Sequence, residues 1–349
     1  MPIAKAYAVH GPADKLAPFS FDRREARPHD VQLDILFCGV CHSDIHQARS
    51  EWEDSIYPMV PGHEIIGKVT RVGPDVTKFK VGDLAAVGVM IDSCRKCRNC
   101  NNYVENYCVE SMTGTYNAME RDGKTIAMGG YSTLIVTDER YVYSISPKLD
   151  PAGAAPLLCA GITTYSSLRF ANVTNGTKVG VIGLGGLGHL GVKFAASFGA
   201  EVTMISTSPS KEKDARKLGA HQFLLQTDNT QLKKFDSYFD VLLNTISAPH
   251  DYEKYLNLLG YEGRMMIVGL PSVDPKVRPF ALLKNRRSIT GSMIGGTKET
   301  QEMLDYCAEK NIVSDVEVIP MQQINEAYER MLKNDVRYRF VIDLASLKN

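Results

Sequence analysis

The glycine-rich segment KVGVIGLGGLGHLG at 178–191 constrains the fold of this chain more than any other feature. It sets Gly183, Gly185 and Gly188 in the pattern GxGxxG, directly after an apolar strand-like run and at the opening of a helix-like run. Glycines at these positions permit a tight turn, the approach of a pyrophosphate to backbone N–H groups, and close packing of helix on strand. The context favours a dinucleotide-binding turn; the alternative is a glycine-rich connection that only packs an α/β sheet.

The sequence after Lys178 alternates between strand-like and helix-like segments. The apolar runs EVTMIS, YFDVLLNTI and GRMMIVGL are separated by helical patterns such as SKEKDARKLGA and DYEKYLNLL. The first of these helical patterns has Ser208 and Pro209 at its start and Gly219 at its end, which is typical of helix termini. We therefore expect an α/β domain with a doubly wound parallel sheet of the Rossmann type, covered by helices on both faces.

Residues 1–150 follow a different pattern. Short strand-like runs, among them VQLDILFCGV and YSTLIVT, are separated by turn signals such as GPD and VGD, which indicates a mostly-β domain. The length of 349 residues suits about two domains of ~150 residues each. Boundaries near Pro151 and near residue 292 predict a mostly-β domain over 1–150, a dinucleotide-binding domain over 151–292 and a C-terminal segment over 293–349.

The charge balance argues against nucleic acid as a partner. Lys plus Arg and Asp plus Glu both count 40, whereas a domain adapted to polyanions is normally strongly basic. The N-terminus MPIAKAYAVHG lacks the basic and apolar parts of an export signal, and no stretch approaches ~18 uninterrupted apolar residues. We expect a soluble cytoplasmic protein that does not act at a membrane.

Four of the eight cysteines lie close together in the segment SCRKCRNCNNYVENYC, and we call residues 94–108 the cysteine lobe. Cys94, Cys97, Cys100 and Cys108 have the spacing Cx2Cx2Cx7C, and four thiolates can surround one tetrahedral Zn²⁺. An iron-sulfur cluster or disulfides are the alternatives. A site with four protein ligands leaves no open coordination position, so the predicted zinc is structural rather than catalytic.

Three further residues have the composition of a catalytic zinc site. Cys41 lies in GVCHSDIHQ, His63 lies in VPGHE, and Cys159 lies in PLLCAGITTY. Two cysteines and a histidine leave zinc a fourth position for water or substrate. Taken singly, each cysteine is as well explained as a small buried residue and the histidine as a hydrogen-bonded loop residue.

The segment after the second strand of the predicted parallel sheet indicates which dinucleotide is bound. An NAD site would place Asp or Glu about 20 residues after the first glycine, against the ribose 2′-hydroxyl. This chain instead has Ser206, Thr207 and Ser208, followed by Lys211, which offer hydroxyl groups and a cation to a 2′-phosphate. NADP(H) is therefore preferred over NAD(H), unless Ser208 only caps the next helix and Lys211 is solvated.

Taken together, these motifs resemble the zinc-dependent medium-chain dehydrogenase/reductase superfamily. The resemblance is closest to its cinnamyl alcohol dehydrogenase branch, which includes bacterial NADP-dependent aldehyde reductases, and it spans essentially the whole chain. It rests on GVCHSDIHQ, YPMVPGHEIIGKV, the cysteine lobe, APLLCAGITTY, GLGGLG, STSPSK, GSMIGG and the ending NDVRYRF. It implies a GroES-like mostly-β catalytic domain joined to the Rossmann domain, two Zn²⁺ per chain and NADP(H).

The resemblance also implies roles for individual residues. Cys41, His63 and Cys159 would bind the catalytic zinc, and Glu64 could enter its coordination sphere transiently. Ser43 would hydrogen-bond the substrate oxygen and contact the cofactor. Asp44 would be the carboxylate that orients the ligand histidine. His46 would end the proton relay, and Thr163 would contact the nicotinamide side of the cofactor.

Further cofactor contacts are implied at the ends of the predicted strands. They are Gly183, Leu184, Gly185, Gly186, Leu187, Gly188, Ser206, Thr207, Ser208, Lys211, Thr245, Val268, Gly269, Ser292, Met293 and Ile294. Relatives that reduce monolignol aldehydes have aromatic residues where this chain has Met293 and Thr113, which weakens the case for strict cinnamyl specificity. Trp52 lies soon after His46 and either lines the pocket or anchors the loop.

The implied reaction is reversible hydride transfer between a primary alcohol or aldehyde, whether aromatic, cinnamyl or medium aliphatic, and the nicotinamide. Zinc would bind the substrate oxygen, and a proton would leave through Ser43, the cofactor ribose and His46. The cofactor would bind between the two domains. The segment GSMIGG is expected near the hinge and as an edge strand that pairs with a second subunit in a homodimer.

Other functions fit less well. A zinc-free quinone reductase of the same superfamily would lack Cys41, His63 and Cys159. A polyol or other secondary-alcohol dehydrogenase is closer, although the segment from Ser206 to Lys211 disfavours its usual cofactor NAD. A zinc-containing nucleic-acid-binding regulator is a remote alternative, because acidic residues flank the basic ones of the cysteine lobe. Cys38 and Cys307 are expected to be small buried residues.

Overall fold

The chain, seen in a computed structural model that describes residues 1–271 and 273–347, forms two compact units. The first comprises Met1–Cys159 and Gly295–Asn349, and the second comprises Ala160–Ile294. The divisions fall a few residues beyond the expected positions near Pro151 and 292. Residues 272, 348 and 349 of the expected segments lie outside the described residues.

The N-terminal part of the first unit consists of short strands with three short helices. The strands are β1 (Ile3–Ala8), β2 (Ala17–Asp22), β3 (Asp30–Gly39), β4 (Ile65–Val72), β5 (Leu84–Val87), β6 (Met90–Asp92), β7 (Thr113–Gly114), β8 (Ala118–Met119), β9 (Ile126–Ala127), β10 (Leu134–Asp138) and β11 (Val142–Ser144). The helices are α1 (His42–Ala48), α2 (Arg98–Asn101) and α3 (Pro151–Ala154). Single 3-10 turns span Glu105–Tyr107, Glu139–Tyr141 and Ala155–Leu158.

The second unit alternates helices and strands, as its sequence predicts. Its elements are α4 (Ala160–Phe170), β12 (Lys178–Ile182), α5 (Gly188–Ser197), β13 (Glu201–Ser206), α6 (Glu212–Lys217), β14 (Gln222–Leu225), α7 (Asn229–Lys234), β15 (Phe239–Asn244), α8 (Tyr252–Leu256), β16 (Leu259–Ile267), α9 (Pro279–Leu283) and β17 (Ser288–Gly291). Single 3-10 turns span Pro209–Lys211 and Lys284–Arg286.

The chain then returns to the first unit through α10 (Thr297–Lys310), β18 (Val316–Pro320), α11 (Ile324–Leu332) and β19 (Arg339–Asp343). Strand β19 pairs with β18 in parallel and with β3 in antiparallel orientation, with Ile342 opposite Cys38. The C-terminal segment thus completes a sheet that the N-terminal strands begin. The described residues of this sheet form seven strands in the order β11-β5-β4-β3-β19-β18, with β10 also paired to β3.

Two adjacent strands of this sheet bring distant loops together. Strand β3 ends at Gly39, just before Cys41, and β4 begins at Ile65, just after His63 and Glu64. Because Cys38 lies opposite Ile65 in the antiparallel pair, the loop that leaves β3 and the loop that enters β4 lie side by side. Fully buried β-branched residues such as Val31 and Ile35 fill the core beneath them.

The described part of the second unit contains a six-stranded sheet in the order β14-β13-β12-β15-β16-β17. Neighbouring strands are parallel throughout, which is the order and direction typical of a dinucleotide-binding sheet. The predicted fold class, a mostly-β domain of the GroES type with a Rossmann domain, is confirmed. Among the described residues, no helix has both the length and the apolar composition needed to cross a membrane.

Candidate active site

The predicted catalytic metal ligands converge in the first unit. One ligand atom each from Cys41, His63, Glu64 and Cys159 lies within 4.8 Å of the others. Cys41 is the N-cap of α1, His63 and Glu64 immediately precede β4, and Cys159 ends the 3-10 turn Ala155–Leu158. The two strand ends bring Cys41 beside His63 and Glu64, and the 3-10 turn adds Cys159, which is 118 positions after Cys41 in the chain.

The chemistry and spacing of these groups fit zinc. Two thiolates bound to one tetrahedral Zn²⁺ at ~2.3 Å lie about 3.8 Å apart, and the Sγ atoms of Cys41 and Cys159 are separated by 3.9 Å. Glu64 Oε2 is buried and has no hydrogen-bond partner among the described residues. A Cβ at position 39 would lie 1.9 Å from this oxygen and 2.9 Å from Glu64 Cβ, so any larger residue there would displace the Glu64 side chain.

Asp44 contacts the predicted ligand histidine, His63. Its Oδ1 lies 3.1 Å from His63 Nδ1, and its Oδ2 accepts a hydrogen bond of 2.9 Å from the Cys41 backbone N–H. Burial lowers the pKa of His63, but the neighbouring Asp44 carboxylate outweighs it and the pKa of His63 is raised well above its usual value. A hydrogen bond to Asp44 at Nδ1 leaves Nε2 free to bind a metal, the arrangement common to histidine ligands.

Arg339 is a site residue that sequence reasoning missed. Its guanidinium forms an ion pair with Glu64, and both side chains are almost completely buried. Burial raises the pKa of Glu64 to about 7, while the positive charge of Arg339 opposes that rise. Arg339 occurs in the ending NDVRYRF, which supported the resemblance, but only the pairing of β19 with β3 brings it to Glu64.

The predicted relay residues lie on one helix. Ser43 Oγ is 3.6 Å from Cys41 Sγ, and His46 follows one turn later on α1. His46 Nδ1 lies 2.5 Å from Glu51 Oε2, and its ring stacks on the Trp52 indole at a centroid distance of 4.8 Å. The indole is 40% exposed. Sequence reasoning did not identify Glu51, because a glutamate in a polar loop carries no distinguishing signal.

The cysteine lobe gathers its four sulfurs into a second cluster. One sulfur from each of Cys94, Cys97, Cys100 and Cys108 lies within 4.8 Å of the others. Cys100 Sγ is 3.8 Å from Cys94 Sγ and 3.4 Å from Cys97 Sγ, close to the separation in a tetrahedral zinc site. Backbone N–H groups point at the sulfurs, and that of Cys100 is the main reason why the pKa of Cys97 falls to about 6. The donors fit a structural zinc.

The glycine turn in the second unit is open to a ligand. Gly183 has φ +93°, a conformation that favours glycine, and a Cβ on Gly188 would lie 1.8 Å from the Gly183 carbonyl oxygen. A Cβ on Gly185 would meet no atom within 4 Å. Thr245 Oγ1 donates to the carbonyl oxygens of Ile182 and Gly183 at 2.8 and 3.0 Å. Thr245 thus fixes the turn on its inner side by hydrogen bonds, while the outer side of the turn at Gly185 stays accessible.

The residues proposed to prefer NADP(H) lie beside this turn. Lys211 Nζ donates to the Leu184 carbonyl at 2.9 Å, which brings the cation to the glycine loop. The Ser208 side chain makes no capping hydrogen bond to the backbone of the 3-10 turn that it precedes; its hydroxyl instead lies 2.8 Å from the side-chain oxygen of Ser210. Ser208 therefore does not act as a side-chain cap, which was the alternative interpretation.

The other predicted cofactor residues follow the carboxyl ends of neighbouring strands. Thr245 follows β15, Val268 and Gly269 follow β16, and residues 292–294 follow β17. A Cβ on Gly269 would lie 2.4 Å from the Ile246 carbonyl oxygen, so this close approach requires glycine. Thr163 is buried on α4. The carboxyl edge of a doubly wound sheet is where dinucleotides bind.

Comparison with known proteins agrees with this geometry. Residues 27–147 match the alcohol dehydrogenase GroES-like domain family, and residues 186–309 match the zinc-binding dehydrogenase family. The chain is 52% identical to NADP-dependent alcohol dehydrogenase C 1 of Mycolicibacterium smegmatis, with all of both chains covered. It is 50% identical to aldehyde reductase YahK of Escherichia coli, over 98% of this chain and 99% of that protein.

Two solved structures are similar over nearly the full length. A cinnamyl alcohol dehydrogenase of Sorghum bicolor has a TM-score of 0.95 and 42% identity, covering 99% of this chain and 98% of that one. The cinnamyl alcohol dehydrogenase of Helicobacter pylori, solved with NADP(H), has a TM-score of 0.92 and 41% identity, covering 98% of each chain. The chain belongs to the zinc-binding alcohol dehydrogenase family, in its cinnamyl alcohol dehydrogenase and aldehyde reductase branch, and the predicted resemblance is confirmed.

Proposed function

We propose that the protein is a zinc-dependent, NADP(H)-dependent alcohol dehydrogenase that interconverts primary alcohols and aldehydes. The observation that carries this proposal is the buried cluster of Cys41, His63 and Cys159, since two sulfurs and an imidazole leave zinc one position for a substrate oxygen. The close relatives named as alcohol dehydrogenases and aldehyde reductases support the same reaction.

Two observations support NADP(H) as the cofactor. Relatives at 52% identity are NADP-dependent, and a structural neighbour was solved with NADP(H). The end of β13 bears Ser206, Thr207 and Ser208 where an acidic residue would repel a 2′-phosphate, and Lys211 supplies a positive charge beside the glycine turn. We propose that the cofactor contacts predicted from the sequence act at this edge of the sheet.

The residues of the site indicate which groups would bind the metal, orient its ligands and carry out the reaction. When bound, zinc would supply a Lewis acid for the substrate oxygen and NADP(H) would supply or accept the hydride. Cys41, His63 and Cys159 would hold the metal, and Asp44 would keep His63 in the orientation that presents Nε2. Arg339 holds Glu64 in place beside the site.

Proton transfer is proposed to involve α1. During alcohol oxidation the Ser43 hydroxyl would accept the substrate proton and release its own proton into the relay, and His46 would pass a proton on to solvent. Glu51 stabilises His46 by its contact at Nδ1, so that Nε2 is the nitrogen available for proton exchange. The reverse direction, aldehyde reduction, uses the same groups as donors.

The substrate class is proposed to be aromatic, cinnamyl or medium aliphatic primary alcohols and their aldehydes. The resemblance places Met293 and Thr113 at positions where relatives that reduce monolignol aldehydes are expected to have aromatic residues, which favours a broad range. A polyol is the second candidate, because a probable mannitol dehydrogenase of Fragaria ananassa is 49% identical over 98% of this chain.

A substrate panel tests these proposals. Purified protein would be assayed with cinnamaldehyde, benzaldehyde, hexanal, fructose and a ketone, each with NADPH and NADH, beside a zinc count per chain. We expect aldehyde reduction, higher kcat/KM with NADPH, and two zinc ions per chain. Activity confined to fructose would favour the polyol candidate. Absence of turnover with every substrate, together with a mobility shift of an oligonucleotide in a separate binding assay, would overturn the enzyme assignment.

A homodimer and a cytoplasmic location are also proposed. Strand β17 is at the edge of the parallel sheet, and the preceding segment exposes Phe280 and Leu283 to 72% and 74%, which suits pairing with a second copy. None of the eight cysteines forms a disulfide, as expected in a reducing compartment.

A further inference from the structure

Tyr131 makes an unassigned contact behind the candidate catalytic metal site. It lies in the segment that leads into β10 and is completely buried. Its hydroxyl donates a hydrogen bond of 3.1 Å to Asp44 Oδ2. A buried tyrosine hydroxyl needs a partner, but most such partners are backbone carbonyls or water; here the partner is the carboxylate that orients His63.

Asp44 collects donors from separate segments of the chain. Oδ2 accepts from the Cys41 N–H at 2.9 Å and from the Tyr131 hydroxyl, and Oδ1 accepts from the Gly62 N–H at 3.2 Å and lies 3.1 Å from His63 Nδ1. Tyr116, whose ring stacks on His63 at a centroid distance of 5.7 Å, also hydrogen-bonds Asp44. The roughly four lone-pair positions of the carboxylate are thus fully used, and its plane has little freedom to rotate while these donors are in place.

The backbone next to Tyr131 is joined to the loop that carries His63. The N–H groups of Gly129, Gly130 and Tyr131 donate to the carbonyl oxygens of Val60, Gly62 and Pro61 at 2.7, 2.8 and 2.9 Å, respectively. Gly62 has φ +103°, and a Cβ there would lie 2.7 Å from the Tyr131 ring. The ring is thus packed against the residue before His63, so its hydroxyl position is defined independently of any metal.

We propose that Tyr131 is a positioning residue for the catalytic metal, acting through Asp44 on His63. The proposal rests on the proposed zinc site. Without the hydroxyl, Asp44 loses one of its donors, the carboxylate gains rotational freedom, and the His63 imidazole is less well oriented toward the metal. Loss of a group that contacts a metal ligand typically costs 10–100-fold in affinity, and Tyr131 is one hydrogen bond further away, so we expect a smaller effect of about 3–10-fold.

Tyr131→Phe tests this role because it removes only the hydroxyl and retains the ring packed on Gly62. Tyr141→Phe is the matched control, since Tyr141 is also buried and its hydroxyl donates a bond of 2.8 Å, but to Ser93 Oγ at the cysteine lobe. The release of zinc from each full-length holoenzyme to a chelator would be followed over time. The two ions would be distinguished as a fast phase and a slow phase of release. Co²⁺ would then be introduced at the catalytic position as a spectroscopic probe of ligand geometry.

For Tyr131→Phe we expect about 3–10-fold faster release of the catalytic ion, unchanged release of the structural ion, and an altered visible spectrum of bound Co²⁺. For Tyr141→Phe we expect the wild-type release rate and Co²⁺ spectrum at the catalytic site. A wild-type Co²⁺ spectrum and zinc release rate in Tyr131→Phe would overturn the proposal. Equal acceleration of zinc release at both sites would also overturn it, because that result indicates only a loss of overall stability.

The experiment separates this inference from the proposed function. If the wild-type chain binds metal only at the cysteine lobe, the proposed function fails and the Tyr131 role fails with it. If the wild-type chain holds two zinc ions and reduces aldehydes, but Tyr131→Phe behaves as wild type, only the positioning role is wrong.

Discussion

At the scale of single residues, the candidate chemistry depends on groups whose orientation is set by one or two neighbours. His46 is an example: Glu51 contacts its Nδ1, and the Trp52 indole lies against its ring. Since His46 is a histidine that is not among the predicted metal ligands, its removal should affect turnover rather than metal binding.

His46→Ala is expected to lower kcat by about 10–100-fold, because a positioned proton-transfer group contributes at least that much. Zinc content should remain at the wild-type value, since His46 is not a ligand. The measurement is steady-state turnover across pH together with metal analysis. His29→Ala, which changes an exposed histidine away from α1, is the control; a His46→Ala enzyme with unchanged turnover at every pH would contradict the relay.

Lys211 should determine the preference for the phosphorylated cofactor. A hydrogen bond to a charged group contributes about 1.5–3 kcal/mol, so Lys211→Ala is expected to raise KM for NADPH about 10–100-fold and to leave KM for NADH nearly unchanged. Lys213→Ala, two positions on and exposed, is the control. Equal weakening of both cofactors would show that Lys211 supports the turn rather than recognising the 2′-phosphate.

At the scale of elements, strand pairing decides where the site forms. The antiparallel pair β3 and β4 brings Cys41 next to His63, and β19 on the other side of β3 brings Arg339. The cysteine lobe is joined to α10 in a similar way: Glu105 accepts hydrogen bonds from Thr297 N–H and Oγ1, each at 2.9 Å, and so caps that helix. These contacts link short sequence motifs to the C-terminal segment.

The edge of the second unit's sheet should carry the subunit contact. Replacing both Phe280 and Leu283 with Asp is expected to weaken dimerisation at least ~10-fold in Kd, because buried apolar anchors dominate such interfaces. Analytical ultracentrifugation over a concentration series would measure it. Leu332→Asp, which alters an exposed leucine in the first unit, should leave the dimer intact. An unchanged association constant in the double variant would place the contact elsewhere.

At the scale of the whole molecule, the two metal clusters are expected to contribute differently. The cysteine lobe has little apolar core of its own, so its stability should depend on metal, as in other structural zinc sites. Cys100→Ser should lower the zinc count from two to one and reduce the thermal midpoint by several degrees. Cys307→Ala removes a buried sulfur away from both clusters and should retain two zinc ions. A Cys100→Ser protein with wild-type stability would contradict the structural role.

Much of the architecture could be predicted from local sequence. The alternation after Lys178 predicted the parallel sheet, and the burial of Cys38 and Cys307 is confirmed, since both are completely buried. The candidate ligands were recognisable because cysteine and histidine have few other uses at such spacings. The roles of Glu51, Tyr131 and Arg339 could not be predicted, because glutamate, tyrosine and arginine occur in many settings and nothing in their flanking residues distinguishes these.

The amino-acid sequence by itself determined the glycine turn, the strand and helix alternation and the residue types available for metal binding, because these depend on periodicity and on spacings of a few residues. Only the tertiary structure decided which side chains surround them. Arg339 reaches Glu64 across 275 positions, and Tyr131 reaches Asp44 across 87. Such contacts arise from the register of paired strands and the packing of buried rings, which no local pattern encodes.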